Sequence, residues 1–231
     1  MDSFIHTVDG EGDEVAQVTL PDVRISHLAA SGDVLVATGV TDTGILVTVL
    51  NAGDLAVRRS IPTGTAGEPP WSAGLLGPHL YVPLVRTGTD GSEASSTVLV
   101  VDTETGLVTD RDVGAESPYL VSVVGQDVWI AHTFTNSGFG PLGSYRTVSR
   151  LGRAGDGATH AVDDAGIGQI LGPAGPGRVR VLLIEDAAGN DATAVGVYDS
   201  DPWREVSRVS LGEPPYQAAY VAGGFVSPGA A

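Results

Sequence analysis

Five short acidic corners carry most of the chemistry legible in this 231-residue sequence. They read Pro21-Asp22, Glu68-Pro69-Pro70-Trp71, Glu116-Ser117-Pro118-Tyr119, Asp163-Asp164 and Glu213-Pro214-Pro215-Tyr216. In three of them an aromatic residue follows the carboxylate closely: Trp71, Tyr119 and Tyr216. Like charges gathered at one low-dielectric place raise one another's pKa and attract cations. Carboxylate oxygens suit a hard cation such as Ca2+. A pair of carboxylates about 5–10 Å apart across a cleft would instead suit glycosidic acid–base chemistry, with Asp22, Glu116 and Glu213 as the candidates. Aspartate and Glu-Pro are also ordinary turn chemistry, and that plainer reading outweighs the functional ones.

Other chemistry is thin. The histidines His6, His27, His79, His132 and His160 show no short metal-ligand spacing. Asp9-Gly10-Glu11-Gly12-Asp13 alternates carboxylates like the start of a calcium loop, but the later bidentate glutamate is missing. A solvated turn is expected there. No G-x-S-x-G or H-E-x-x-H is present. Glycine pairs such as Gly138 and Gly140 precede no helical pattern, so they cradle no phosphate.

The corners recur because the whole chain repeats. From Asp22 through Glu68, Glu116 and Asp164 to Glu213 the steps are 46, 48, 48 and 49 residues. A second landmark, a strand end at Val8-Asp9, Leu50-Asn51, Val101-Asp102, Leu151-Gly152 and Tyr198-Asp199, keeps a similar period. So does a third, the turn glycines Gly32, Gly77, Gly125, Gly177 and Gly224. The clearest unit runs from Thr97 to His132: strand, turn, strand, acidic corner, strand, turn, strand. A period near 47 with four strands per unit is that of β-propeller blades.

Alternation and β-branching place four strands, a to d, in each unit, and no segment sustains a helical period. The resulting expectation is one all-β propeller domain over residues 1–231. Its blades fall near 23–61, 71–113, 119–162, 167–211, and 216–231 plus 4–20. The opening hairpin matches strands c and d only. The closing segment, Tyr216–Val221 and Phe225–Val226, matches a and b only. Five blades with one built from both termini follow, because such closure leaves no loose sheet edge. The alternative is a fragment of a six- or seven-bladed parent.

The run Val100-Val101-Asp102-Thr103-Glu104-Thr105-Gly106, followed by Val113-Gly114, Pro118 and Val128-Trp129-Ile130-Ala131, resembles the YVTN-type (YncE-like) β-propeller repeat. The match is good over the second and third units and weaker elsewhere, where Leu80-Tyr81-Val82-Pro83 fits and Val34-Leu35-Val36-Ala37 fits loosely. Many members of that family have seven blades, so five is a departure. The resemblance implies a binding scaffold and supplies no catalytic motif.

On a propeller the d-to-a corners and b-to-c loops share the face around the channel mouth. Asp22, Glu68, Glu116, Asp164 and Glu213 would ring that mouth, with Trp71, Tyr119 and Tyr216 beside them. Three b-to-c loops are long, 86–96, 133–144 and 185–191, and long loops often carry function. Phe134 and Phe139 make the second an adaptable apolar tip for a partner.

With 28 acidic residues against 12 basic ones, all arginine, the formal charge is −16. Such a surface repels phosphate backbones and anionic membranes, so nucleic acid is not an expected partner, while a protein or a small polar or cationic ligand is. Cysteine is absent, which excludes disulfides and leaves the redox compartment open. Neither a signal-peptide pattern nor a membrane-length apolar run is present, and both a secreted mature form and a cytoplasmic protein fit. The expected function is a non-catalytic scaffold with no resident cofactor, or at most Ca2+ at the channel mouth. The alternative is a five-bladed glycoside hydrolase or lyase using those carboxylates. Low aromatic content, 6%, argues against a sugar-stacking cleft.

Overall fold

A computed structural model describes residues 2–66, 72–84, 97–113, 118–135, 147–153, 159–162, 166–186, 191–212, 219–221 and 224–226. Among these every regular element is a strand. Two compact units result, Met1–Val113 and Gly114–Ala231.

In the first unit, β1 (Ser3–Val8) and β2 (Glu14–Leu20) form a hairpin. An antiparallel meander of β3 (Arg24–Ser31), β4 (Val34–Thr41), β5 (Gly44–Asn51) and β6 (Val57–Pro62) follows. A second is made by β7 (Gly74–Leu76), β8 (His79–Pro83), β9 (Thr97–Asp102) and β10 (Val108–Asp112). The second unit holds a meander of β11 (Pro118–Val124), β12 (Asp127–Thr135), β13 (Thr147–Arg153) and β14 (Thr159–Ala161). Another comprises β15 (Gly166–Pro173), β16 (Arg178–Asp186), β17 (Asp191–Ser200) and β18 (Trp203–Gly212). The hairpin of β19 (Ala219–Val221) and β20 (Gly224–Val226) comes last. The strand order a-b-c-d expected from the repeat is thus present four times. The first and last hairpins each form a two-stranded sheet.

Burial shows why these segments are strands. In β5 the side chains alternate between two cores. Ile45, Val47 and Val49 pack with Leu75, Leu80, Val82, Leu99 and Val101 of the next meander. Leu46 and Leu50 face the opposite way, onto Ile5, Ala16, Val18 and Leu20 of the first hairpin. A strand covered on both faces needs an unbroken apolar run, and a strand covered on one face alternates. β2 alternates accordingly, with Ala16, Val18 and Leu20 inward and Val15, Gln17 and Thr19 exposed. Each fully buried aliphatic side chain contributes about 1.5–3 kcal/mol, so the face-to-face stack is the main source of cohesion in this unit. In the second unit Val124, Trp129 and Ala131 meet Ile167, Val179, Val181, Leu183 and Tyr198 in the same manner.

The c-to-d turns explain the repeated aspartates. The Asp102 carboxylate accepts the backbone N–H of Glu104 at 2.9 Å and of Thr105 at 2.8 Å. Asp9 accepts those of Glu11 and Asp13 at 2.9 and 3.0 Å. These side chains staple their own turns, and the resulting bonds hold the carboxyl pKa of both below the usual aspartate value. At Asp9 the staple closes an exposed turn.

Candidate functional site

Ser3 opens the site. Its hydroxyl donates to the Val23 carbonyl at 2.7 Å and accepts the Ile25 N–H at 3.1 Å. The neighbouring Asp2 carboxylate accepts the Asp22 N–H at 3.1 Å. The first hairpin therefore pins the d-to-a corner that precedes β3. Asp22 itself has φ +55°, a left-handed conformation in which aspartate is one of the few tolerated side chains.

The b-to-c turn of the same meander approaches this corner. In Thr41-Asp42-Thr43-Gly44 the Thr41 hydroxyl accepts the Thr43 N–H at 3.2 Å and lies 3.0 Å from the Gly44 carbonyl, to which it donates. Gly44 has φ +127°, and a β-carbon there would sit 2.5 Å from the Thr65 carbonyl oxygen. Only glycine lets the turn close against the segment after β6, where the Ile45 N–H donates to Thr65 at 3.0 Å. Corner, turn and segment together enclose an open cleft of about 480 Å3. Asp22, Asp42, Thr41 and Thr43 supply its polar lining, and Val23, Ile45, Leu46 and Pro62 its apolar one. Two carboxylates beside an aliphatic wall can take a cation that carries an apolar stem.

Of the corner residues expected from sequence, the structure places Asp22, in this cleft. Glu68, Trp71, Glu116, Phe139, Asp164, Glu213 and Tyr216 lie outside the described residues, as do the side chains of Tyr119 in β11 and Phe134 in β12. The long loops fall there as well, except for their strand ends. Among the described residues no group of three or more histidine or carboxylate side chains is placed to hold a metal ion. Asp42, Thr41 and Thr43 are additions that the sequence reading missed. Their signal, the short turn TDTG between two apolar runs, was available.

A second polar constellation lies in the second unit and is structural. The Tyr198 hydroxyl, within a buried side chain, donates to Glu205 at 3.1 Å, and Arg208 pairs with Glu205 at 2.6 Å. Burial first, then the Glu205 charge, pushes the phenol pKa well up. The Tyr198 ring lies over Gly196, where a β-carbon would meet it at 2.7 Å. Trp203 stacks on Tyr198 and His160, with ring centroids 5.0 and 4.9 Å apart.

No protein-family model matches the chain, and no curated protein matches it. Solved structures do. Hydrazine synthase of Kuenenia stuttgartiensis aligns with a TM-score of 0.58 and 16% identity over 85% of this chain. A chain of a nidogen/laminin complex aligns at 0.60 and 10% identity, covering 96% of this chain and 80% of that one. The β-propeller domain of Cps50 (Swd1) from Myceliophteria thermophila aligns at 0.51 and 10%, over 83% of this chain and 59% of that one. The fold is a β-propeller. The chain spans half the length of the hydrazine synthase chain it matches, and at these identities the likeness extends to architecture alone. Each four-stranded meander is accordingly a blade, with its a strand first. No helix among the described residues is long and apolar enough to cross a membrane.

Proposed function

We propose that the protein is a non-catalytic propeller scaffold that binds a cationic ligand, or a basic side chain of a protein partner, at the face carrying its d-to-a corners. The observation that carries this reading is the Asp22–Asp42 cleft, where a corner and a b-to-c turn place two carboxylates beside aliphatic side chains. The formal charge of −16 adds a long-range field that draws cations toward such a mouth. The remaining acidic corners, Glu68, Glu116, Asp164 and Glu213, extend the reading around the other repeats, with Ca2+ as the ion best matched to carboxylate oxygen. Kinship with the YVTN-type repeat is part of the proposal. It rests on Val100–Gly106, whose Asp102 side chain forms the turn staple described above.

The test is thermal unfolding with calcium chloride, with a hexa-arginine peptide, and with sodium chloride at matched ionic strength. A specific site predicts that calcium or the peptide raises the midpoint beyond the sodium control, by mass action. The rise is lost in Asp22→Asn/Asp42→Asn for the cleft, or in Glu68→Gln/Glu116→Gln/Glu213→Gln for the other corners. If sodium does the same as both, the effect is screening of a charged chain, and the carboxylates are turn residues only.

A further inference from the structure

Strand β18 differs from the other outer strands of the meanders. β6 spans six residues, carries Arg58 and Arg59 and ends in Pro62. β10 spans five, three of them Asp110, Arg111 and Asp112, and β14 spans three. Short length, charge and proline are the usual means of keeping a sheet edge from pairing with another chain. β18 spans ten residues without proline, and its three charged residues are spread among apolar ones. Among the described residues its only ladder is to β17. It also exposes Val206 at 41%, Val209 at 59% and Leu211 at 38%. Its two arginines and one glutamate give it a charge of +1 in a chain of −16.

The order of side chains along this edge is self-complementary. A register shift between Val197 and Tyr198 sets Val206 out of the ladder, so Glu205 and Arg208 share the Tyr198 face. Arg204 and Val209 lie opposite Asp199 and Val195, on the other face. Two antiparallel copies related by a two-fold axis between Val206 and Ser207 bring Glu205 of each opposite Arg208 of the other. The same register lays each Arg204 stem over the other copy's Val209. Opposite-charge pairs and an arginine stem on an aliphatic side chain are favourable cross-strand neighbours.

We propose that β18 is a self-recognition edge, at which a second copy of this chain adds its own β18 antiparallel and joins two blades into one eight-stranded sheet. The occupant is a second copy because one strand supplies both halves of the charge pattern, which is the condition for an isologous two-fold contact. The site is separate from the corner cleft, and ligand binding there can fail without bearing on it.

Sedimentation equilibrium from about 1 to 200 µM tests it, on the parent, Val209→Lys, Glu205→Arg and the double variant Glu205→Arg/Arg208→Glu. The expected result is a mass that rises with concentration from 23.5 kDa toward twice that value. Val209→Lys, a charge on an exposed edge position, should weaken association at least tenfold while leaving the circular dichroism spectrum unchanged. Glu205→Arg should abolish association and the charge-swapped double variant restore it. The proposal is overturned by a single-chain mass throughout, by masses that climb past the dimer, or by a Val209→Lys protein that associates like the parent. Val209→Lys decides the matter even if Glu205→Arg loosens the Tyr198 cluster.

Discussion

Leu55 occupies a place that the next meander gives to glycine. In the c-to-d turn after β9, Gly106 sits at φ +82° and donates its N–H to Asp102. After β5 the equivalent residue is Leu55, at φ +57°, donating to Asn51. A left-handed leucine is strained by about 1–2 kcal/mol. It is held there because its side chain, 1% exposed, fills the core between the first hairpin and the first blade. Leu55→Ala keeps the strain and leaves a cavity, so urea unfolding should show a loss of about 2–5 kcal/mol. Leu55→Gly loses the same contacts but relieves the backbone, and should be the less destabilised of the two by about 1 kcal/mol. That order reverses the usual preference for alanine over glycine in a strand. An alanine variant more stable than the glycine one would show that the turn is unstrained.

His27 gives the first blade a pH dependence. Burial lowers its imidazole pKa below the ordinary 6.5, and a backbone hydrogen bond at Ala73 only partly opposes this. The unfolded chain then binds the proton more readily than the folded one. Stability is complete above pH 6.5 and declines as pH falls from there to the depressed folded value. The aspartates Asp9, Asp33, Asp54, Asp102 and Asp199, all held below 3.8, contribute only at lower pH. Their stabilisation is present above 3.8 and is lost as pH falls through their folded values. Thermal midpoints of His27→Gln should therefore fall less from pH 7 to 5 than those of the parent. Parallel curves would remove His27 as the cause.

Among elements, the first hairpin has the largest consequences. It contributes Ile5 and Leu20 to a core that also holds Val23, Ala37, Leu50 and Leu55, and through Ser3 and Asp2 it fixes the corner at Asp22. Deleting residues 1–21 removes two buried aliphatics worth roughly 3–6 kcal/mol together. That is a large part of the 5–15 kcal/mol typical of a whole domain. A fall in thermal midpoint of about 10 °C or more is expected, and an unchanged midpoint would show that the hairpin is not part of the stack. Ile5→Ala, at about 2–5 kcal/mol, gives the same answer if the deletion fails to fold.

These elements were legible in the sequence for a physical reason. Alternation in β2 and unbroken apolar runs in β5 report directly how many faces are covered, and Asp102 marks a turn because its side chain makes that turn. The cleft was half legible. Asp22 stood out through its periodic place, but Asp42 lies in the shortest kind of b-to-c connection, where attention to long loops does not reach. The Tyr198, Glu205 and Arg208 group was illegible, because the register shift beside Tyr198 decides which side chains share a face, and such a shift leaves no periodic trace.

At the scale of the whole molecule, every strand of each meander bonds to its neighbour in sequence, while within each unit the meanders bury their faces against one another. Pairing is therefore local and stacking is not. During synthesis the first hairpin needs only its own residues for its ladder, but Ile5 and Leu20 stay uncovered until β3 to β6 have been made. The 42 residues from Pro21 to Pro62 take about 2–8 s at ordinary translation rates. For those seconds the two-stranded ribbon presents an apolar face that the following meander later covers. The acidic Asp9–Glu14 turn at the ribbon's tip carries the same charge on every copy, and like charge opposes contact between neighbouring chains.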